Sequence, residues 1–368
     1  MTTPSKDTEH ILDFVGSVCT TDPTRIEADL GHGYVKLKSS EAERRQALQD
    51  IQCSEDILLE LLRNSRDANA KNIFIALKRE GDVRTIVVID DGDGIPLELK
   101  DSVFDARVTS KLDSAHMDDW GMHGRGMALF SIRSNVTASK IVDTGHKLGT
   151  AIRIESSLES LGEKADQTTF PHFEKVDETF VMRGPKNLLR CAAEFCFAHK
   201  DEIDIRIGSF SEIASALYML GKDRIPLTTR TFSKDASGAA LVDRLAFAHD
   251  PASFKLACQS IGLDISERSA RRIIDGDIPY PPTLFERMKS ESFPHKGSRQ
   301  QDDALFPAKH VAKPHIKLDR EDMGAFTEEV ANAFALFAEK YYLVSDVEID
   351  ASVRDGALRI SIPLVPEE

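Results

Sequence analysis

The chain has 368 residues, of which 41% are hydrophobic and 29% are charged, and this composition excludes a disordered or fibrous protein. Its formal net charge of −14 argues against a surface built throughout for nucleic acid. No apolar run approaches the roughly 18 residues of a membrane span, and the start, MTTPSKDTEH, lacks the features of a signal peptide. We therefore expect a cytoplasmic protein that has no membrane partner.

The length of the chain predicts about two domains. The five cysteines contain no C-x-x-C pair and are expected to be reduced and buried. A polar stretch without clear periodicity lies between Ser156 and Gly184 and marks a boundary. We predict a first domain with an N-terminal arm over residues 1–160 (motifs in 54–155), a linker over 161–184, and a C-terminal α/β region over 185–368 with a helical segment, 240–290, and a mobile loop, 291–314.

The predicted elements of the first domain alternate between helix and strand. SEDILLELLRNSRDA, from Ser54, has leucines at helical spacing, and the strand candidates NIFIAL, RTIVVID, KIVDT and TAIRIE follow it. In the C-terminal region LLRCAAEFCFAHK is typical of a helix and IDIRIG of a strand. The chain closes with a long helix, EDMGAFTEEVANAFALFAEKYY, and a hairpin of VEIDASV and LRISIPL.

Three polar residues of the first helix are spaced by four and then three positions. This spacing places Glu60, Asn64 and Asp67 on one helical face, while the leucines occupy the other. A solvated surface face is the ordinary explanation of such a row. The motifs that follow favour a site instead.

The sequence IDDGDGIP ends a strand of nearly unbroken Ile and Val. Asp90, at the end of that buried strand, can accept a hydrogen bond from an amine, and Gly92 and Gly94 leave room for a flat ring. A simple turn and a calcium loop are the alternatives. The further acidic ligands of an EF-hand are absent from this stretch.

The sequence DWGMHGRGMALFSI places three glycines, Gly121, Gly124 and Gly126, ahead of an apolar helix candidate. Backbone N–H groups at a helix N-terminus bind phosphate, but the same pattern can also be a tight connection. Lys111 precedes this motif in VTSKL, and Gly149 and Thr150 introduce a later strand.

The ordered motifs ELLRNSRDA, DDGDGIP, TSK, GMHGRG and GT resemble those of the GHKL ATPases, which include DNA gyrase, the ninety-kilodalton heat-shock chaperone, histidine kinases and MutL. The resemblance covers about residues 50–155. It implies an α+β Bergerat fold, which is a two-layer α/β sandwich with a mixed sheet and helices on one face. It also implies that ATP and Mg²⁺ bind under a flexible lid.

The resemblance assigns roles to individual residues. Asn64 would ligate Mg²⁺, and Asp90 would accept the adenine amine with support from Thr150 through water. The GMHGRG glycines would border the lid and cradle the phosphates, and Lys111 would add a charge there. The implied nucleotide-binding set is Asn64, Asp67, Asp90, Gly92, Gly94, Ile95, Lys111, Gly121, His123, Gly124, Arg125, Gly126, Met127 and Thr150.

Glu60 distinguishes the branches of the family. The resemblance implies that Glu at this position activates the water that attacks ATP, whereas histidine kinases usually carry Asn there. ATP hydrolysis is therefore favoured over a histidine-type protein kinase. Gyrase and MutL complete the site with a lysine from a following domain, and Lys222, Lys186 and Lys313 stay open as candidates for it.

The segment 255–278 loosely resembles a helix-turn-helix with arginines on its second helix. An ordinary helical hairpin is the alternative. Two functions follow. In the first, the chain is an ATPase that closes its lid, forms a nucleotide-dependent homodimer and acts on an unknown protein or nucleic-acid client. In the second, it is an ATP-liganded regulatory module that binds DNA through residues 255–278.

Overall fold

A computed structural model of the chain describes residues 26–109, 116–118, 121–123, 126–164, 166–176, 179–232, 236–292, 320–341, 343–347, 349–354 and 357–365. The contacts divide the chain into two units, Met1–Leu305 and Phe306–Glu368. The predicted mobile loop, 291–314, lies outside the described residues apart from its first two. Among the helices that are described, none combines the length and hydropathy needed to cross a membrane.

The first unit contains the elements that build the candidate site. Its helices are α1 (Glu41–Gln49), α2 (Ser54–Asp67), α3 (Ala128–Asn135), α4 (Leu188–Ala198), α5 (Phe210–Arg224), α6 (Leu227–Phe232), α7 (Pro251–Ser260), α8 (Glu267–Ile274) and α9 (Leu284–Ser292). Short 3-10 helices cover Leu97–Leu99, Ser102–Phe104 and Leu241–Phe247. Its strands are β1 (Ile26–Gly31), β2 (Tyr34–Leu37), β3 (Asn72–Glu80), β4 (Val83–Asp90), β5 (Val108–Thr109), β6 (His116–Asp118), β7 (Gly121–His123), β8 (Ala138–Gly145), β9 (Gly149–Ser157), β10 (His172–Val176), β11 (Thr179–Arg183) and β12 (Asp204–Gly208).

A five-stranded sheet with the order β12-β3-β4-β9-β8 forms the centre of this unit. β12 pairs with β3 in parallel, and the other three pairings are antiparallel. The predicted α+β fold with a mixed sheet is therefore confirmed. Asp90 at the end of β4 pairs with Thr150 at the start of β9, so the sheet brings two of the predicted site residues together.

Helical layers cover both faces of the sheet. α2 contacts β4 and lies over one face, as the two-layer prediction requires. On the other face Phe74, Val87 and Ile89 pack in one core cluster with α5, α7, α8 and the 3-10 helix Leu241–Phe247. The burial of β4 explains why helices cover both faces of the sheet, since seven of the eight residues of this strand are buried. A strand with side chains buried on both faces needs cover on both.

At the start of helix α2, Asp56 accepts hydrogen bonds from two backbone N–H groups that precede the helix. The Asp56 carboxylate accepts hydrogen bonds from the Gln52 N–H at 2.9 Å and the Cys53 N–H at 3.1 Å. The apolar side of the helix, with Ile57, Leu58, Leu61 and Leu62, is fully buried. That burial fixes the rotation of α2 about its axis and turns its polar side away from the core.

A smaller sheet has the order β1-β2-β5. In it Val35 lies opposite Thr109 and Lys36 lies opposite Val108. The Leu37 N–H also donates to the Arg107 carbonyl oxygen at 3.0 Å. The hairpin of β1 and β2 therefore pairs with β5 through strand β2.

The second unit contains the helix α10 (Arg320–Tyr341) and the antiparallel strands β13 (Asp350–Arg354) and β14 (Ala357–Ser361). These are the closing helix and hairpin that the sequence predicts. The domain boundaries themselves stay a prediction. Both sides of the predicted linker, 161–184, lie in the first unit, and β12 extends the sheet beyond that linker.

A shortened chain tests whether residues 1–184 can fold alone. We expect a chain of residues 1–184 to lack cooperative unfolding in urea, because it exposes Phe74, Val87 and Ile89 and loses β12. A chain of residues 1–305, which keeps both helical layers, is the matched control and should unfold cooperatively. A cooperative transition for residues 1–184, followed by near-UV circular dichroism, would contradict this expectation and support the predicted linker.

Candidate nucleotide site

A cavity of about 220 Å³ is lined by residues of α2, β2, β4, β5, β9 and the start of α3. The polar side of α2 forms one wall, where Glu60, Asn64 and Asp67 all line the cavity. The amide nitrogen of Asn64 is buried and has no hydrogen-bond partner among the described residues. A buried amide without a partner is costly, so this wall is suited to a ligand.

The carboxylate of Asp90 also lines the cavity and is 4% exposed. One of its oxygens accepts from the Ser65 hydroxyl at 2.8 Å, and the other accepts from the backbone N–H groups of Gly92 at 3.0 Å and Thr150 at 3.2 Å. Burial raises the pKa of Asp90 to about 6, because the loss of water outweighs these three stabilising hydrogen bonds. The carboxylate is thus fixed in direction and able to accept one further donor.

Two glycines permit the backbone to close around Asp90. Gly94 has a φ of +74°, and a Cβ atom there would lie 2.0 Å from the Gly145 carbonyl oxygen. Gly149 has a φ of +88°, and a Cβ atom there would lie 2.0 Å from the Asp90 carbonyl oxygen. Both positions therefore require glycine for conformation and for space.

Thr144 joins the two segments that these glycines bring together. Its hydroxyl oxygen accepts from the Ile95 N–H at 2.8 Å and lies 3.2 Å from the Gly149 carbonyl oxygen. The Thr150 hydroxyl is 3.4 Å away. The Lys147 N–H also donates a hydrogen bond to the Asp93 carbonyl oxygen at 2.7 Å. These bonds hold the Asp90 end of the cavity in a single arrangement.

Another part of the cavity lining consists of Thr109, Gly126 and the first turn of α3. The Arg107 N–H donates to the Gly126 carbonyl oxygen at 2.8 Å, so the two ends of the segment 110–125 meet beside the cavity. Met127, at the N-cap position of α3, provides no side-chain hydrogen bond to the first turn. The first N–H groups of a helix carry a partial positive charge and bind anions.

Comparison with known proteins identifies this arrangement. Residues 51–172 match the model of the family described as "Histidine kinase-, DNA gyrase B-, and HSP90-like ATPase". The chain contains a GHKL-type ATP-binding domain. Over 125 residues the chain is 32% identical to the DNA mismatch repair protein MutL of Staphylococcus aureus strains Newman, JH1 and Mu3. The match covers 33% of this chain and 18% of each relative.

The GHKL domain brings many of the predicted residues into one cavity. Its lining includes the predicted Glu60, Asn64, Asp67, Asp90, Gly94, Ile95, Gly126 and Thr150. Gly92 is not among the described lining residues. A Cβ atom at Gly92 would be 2.6 Å from the Ala68 carbonyl oxygen. The side chain of Met127 is buried against Ala47 and Ala106. The binding roles of all these residues stay predictions.

The remaining predicted residues belong to the segment between Thr109 and Gly126. Lys111, Gly124 and Arg125 lie outside the described residues. Gly121 and His123 lie in β7, which pairs with β6. Among the candidates for a completing lysine, Lys313 lies outside the described residues. The nitrogen of Lys222 lies 4.9 Å from the centroid of the Tyr218 ring, on the face of the sheet that α5 covers.

The sequence prediction missed several residues of the GHKL cavity and its support, among them Ser65, Arg63, Thr144 and Tyr34. Ser65, which holds Asp90, and Arg63 are part of the quoted motif ELLRNSRDA, and Arg63 lies three positions after Glu60 on the same helical face. Helical spacing could have found Arg63, whereas Ser65 lies off that face and is indicated only by its place in the motif. Thr144 and Tyr34, which lines the cavity from β2, come from distant segments, so no local pattern indicates them.

The GHKL domain implies Mg²⁺ together with ATP, and the residues present fit that ion. Mg²⁺ prefers hard oxygen ligands and usually takes few from the protein when phosphates are present. Asn64 lines the cavity, and its side-chain amide oxygen is a ligand of this kind. No group of three or more His, Cys, Asp or Glu side chains that could hold a metal ion occurs in the described part of the chain.

The raised pKa of Asp90 predicts a pH dependence of nucleotide binding. A pKa of about 6 means that the ionised carboxylate, the stronger acceptor for an amine, is depleted as the pH falls through 6. At pH 7.5 we expect Asp90→Asn to weaken ADP binding by about tenfold or more. This difference from the wild type should shrink between pH 7 and pH 5.

Calorimetric titration with ADP at several pH values measures both proteins. Protonation of the ADP phosphates affects them equally and cancels in the comparison. Parallel affinity curves for the wild type and Asp90→Asn across this pH range would exclude Asp90 as the titrating acceptor.

Proposed function

We propose that the chain binds Mg²⁺-ATP in the GHKL cavity and hydrolyses it to ADP and phosphate. The observation that carries the proposal is the position of Glu60 on the cavity wall, one helical turn from Asn64 on the same side of α2. A carboxylate beside the expected metal ligand is suited to act on water at the terminal phosphate. Mg²⁺, when bound, neutralises phosphate charge.

The Asp90 end of the cavity is the proposed adenine subsite. The buried carboxylate already accepts three hydrogen bonds in fixed directions, and an adenine amine can provide a fourth. The glycine contacts at Gly94 and Gly149 keep side chains away from the plane of the ring. A nucleotide held there would extend its phosphates toward α2 and α3.

The first turn of α3 is the proposed phosphate subsite. Gly126, Ala128 and Leu129 line the cavity at this end, and the uncapped N–H groups of the helix favour anionic oxygens. Asn64 would present its side-chain oxygen to the metal ion on the same side. The separation of the two subsites orients ATP with its terminal phosphate toward Glu60.

Glu60 is proposed as the general base. The water oxygen forms a bond to the terminal phosphorus while a proton of that water passes to the Glu60 carboxylate. The bond from the phosphorus to the bridging oxygen breaks, and ADP leaves with that electron pair. Such assistance contributes ~10²–10⁴ to a rate, and positioning and charge neutralisation provide most of the remainder.

Lid closure and dimerisation extend the proposal. The ends of the segment 110–125 meet at the cavity through Arg107 and Gly126, so phosphates bound there would contact both ends of a lid. We infer that this closure promotes a homodimer that acts on a macromolecular client. The relatives are named DNA mismatch repair proteins, but they share 18% of their length with this chain, and the client stays a proposal.

The described residues give less support to the DNA-binding alternative. Arg268, Arg271 and Arg272 are exposed on α8, as a recognition helix would require. However, the segment 255–278 contains four basic and four acidic residues, and Arg272 lies 3.9 Å from Asp277. A balanced surface lacks the positive potential that DNA binding needs. ATP hydrolysis is therefore the preferred function.

The substitution Glu60→Gln tests the role of the proposed base. We expect phosphate release to fall by ~10²–10⁴, while ATP binding is not weakened, because the amide keeps the shape of the side chain and cannot take the proton. Phosphate release and ATP binding are measured on the same preparation of the full chain.

Glu55→Gln is the matched control for that substitution. Glu55 is a buried glutamate of the same helix that accepts from the Lys164 N–H at 3.2 Å and the Gln167 amide at 2.6 Å, away from the cavity. Its variant should hydrolyse ATP at the wild-type rate per folded molecule. Equal phosphate release by the wild type and Glu60→Gln would exclude Glu60 as the base.

A further inference from the structure

The cavity has an unusual charge for a site that receives a triphosphate. Its described lining contains four carboxylates, those of Glu60, Asp67, Asp90 and Asp93, and the side chain of Arg63 is the single cation among these described lining residues. Phosphates entering such a cavity would be repelled by the carboxylates. The position of Arg63 therefore decides how that repulsion is relieved.

Arg63 is a buried cation that is paired with Glu60. Its side chain is 7% exposed, that of Glu60 is 21% exposed, and the guanidinium donates to a Glu60 carboxylate oxygen. The two residues lie three positions apart on one side of α2. A buried arginine without an anionic partner destabilises the fold, so we expect Arg63 to pair with an anion in every state of the site.

ATP introduces a second anion within the same cavity. A guanidinium presents several N–H donors in a plane and binds phosphate oxygens in a forked geometry. Gly126 and the start of α3, the proposed phosphate subsite, line the cavity together with Arg63. The Glu60 carboxylate, in contrast, is hindered as a base while a cation occupies its oxygen.

We propose that Arg63 exchanges partners when ATP binds: it moves from the Glu60 carboxylate to the terminal phosphate and leaves Glu60 able to accept the proton of water. This inference rests on the proposed function and adds a phosphate-binding residue to it. ADP lacks the terminal phosphate, so with ADP the Arg63–Glu60 pair persists. The exchange therefore makes the site distinguish ATP from ADP and couples the freeing of the base to the presence of substrate.

A double-mutant cycle on the full chain tests the exchange. The four proteins are the wild type, Glu60→Gln, Arg63→Met and the double variant, and the probes are a non-hydrolysable ATP analogue and ADP, each with Mg²⁺. We expect Arg63→Met to weaken binding of the ATP analogue by about tenfold or more and to change ADP binding by less than about threefold.

The coupling between the two residues gives the sharper readout. Glu60→Gln should strengthen binding of the ATP analogue more in the presence of Arg63 than in its absence, because it releases the guanidinium beforehand. For ADP the cycle should show no coupling. The double variant contains no unpaired Glu60 carboxylate, so its comparison with Glu60→Gln remains valid if Arg63→Met alone folds poorly.

Arg84→Met is the matched control, since Arg84 forms a buried ion pair with Glu163 away from the cavity lining. It should lower thermal stability and leave the preference for the ATP analogue over ADP unchanged. Equal weakening of both nucleotides by Arg63→Met, or an equal effect of Glu60→Gln in both backgrounds, would overturn the exchange.

The wild type separates failure of this inference from failure of the proposed function. A wild type that binds the ATP analogue in the expected way, without the Arg63 pattern, retains the proposed function and overturns the exchange alone. A wild type that binds neither nucleotide overturns the proposed function itself.

Discussion

The buried carboxylate of Asp90 is the interaction on which the nucleotide site depends. It accepts hydrogen bonds from Ser65 on α2, from the turn at Gly92 and from Thr150 on β9, and so joins the helix to two strands. An ionised group with 4% exposure is expensive to bury. These three donors offset part of that cost, and the pKa of about 6 shows that the remainder is not offset. A further hydrogen-bond donor, such as an amine of a ligand, would therefore stabilise the ionised form of Asp90.

The packing of the sheet explains why this interaction is rigid. Helices on both faces bury β4 almost completely, and the leucines of α2 fix the side of the helix that meets the cavity. The polar residues of α2 and the end of β4 are therefore held by the core and not by surface loops. Gly126, at the start of α3, is in turn held by the hydrogen bond that its carbonyl oxygen accepts from the Arg107 N–H.

Local patterns in the sequence predict much of this architecture. The helical spacing of Glu60, Asn64 and Asp67 and the glycines around Asp90 are local signals, and each of these residues lies where the pattern indicates. The second helical layer over the sheet was not predicted, although the unbroken apolar run of RTIVVID indicates a strand buried on both faces. Thr144 and Tyr34 reach the site through tertiary packing alone, which no short segment encodes. Arg63 was overlooked because a charged residue on an exposed helical face is ordinarily solvated.

We propose that ATP lies in this cavity with its adenine at Asp90 and its terminal phosphate beside Glu60 and Arg63. A crystal structure of the full chain with a non-hydrolysable ATP analogue and Mg²⁺ tests this claim most directly. We expect the adenine amine about 3 Å from the Asp90 carboxylate, the metal ion on Asn64, and the terminal phosphate against the Arg63 guanidinium. An analogue bound outside the cavity, or one whose adenine contacts residues other than Asp90, would contradict it.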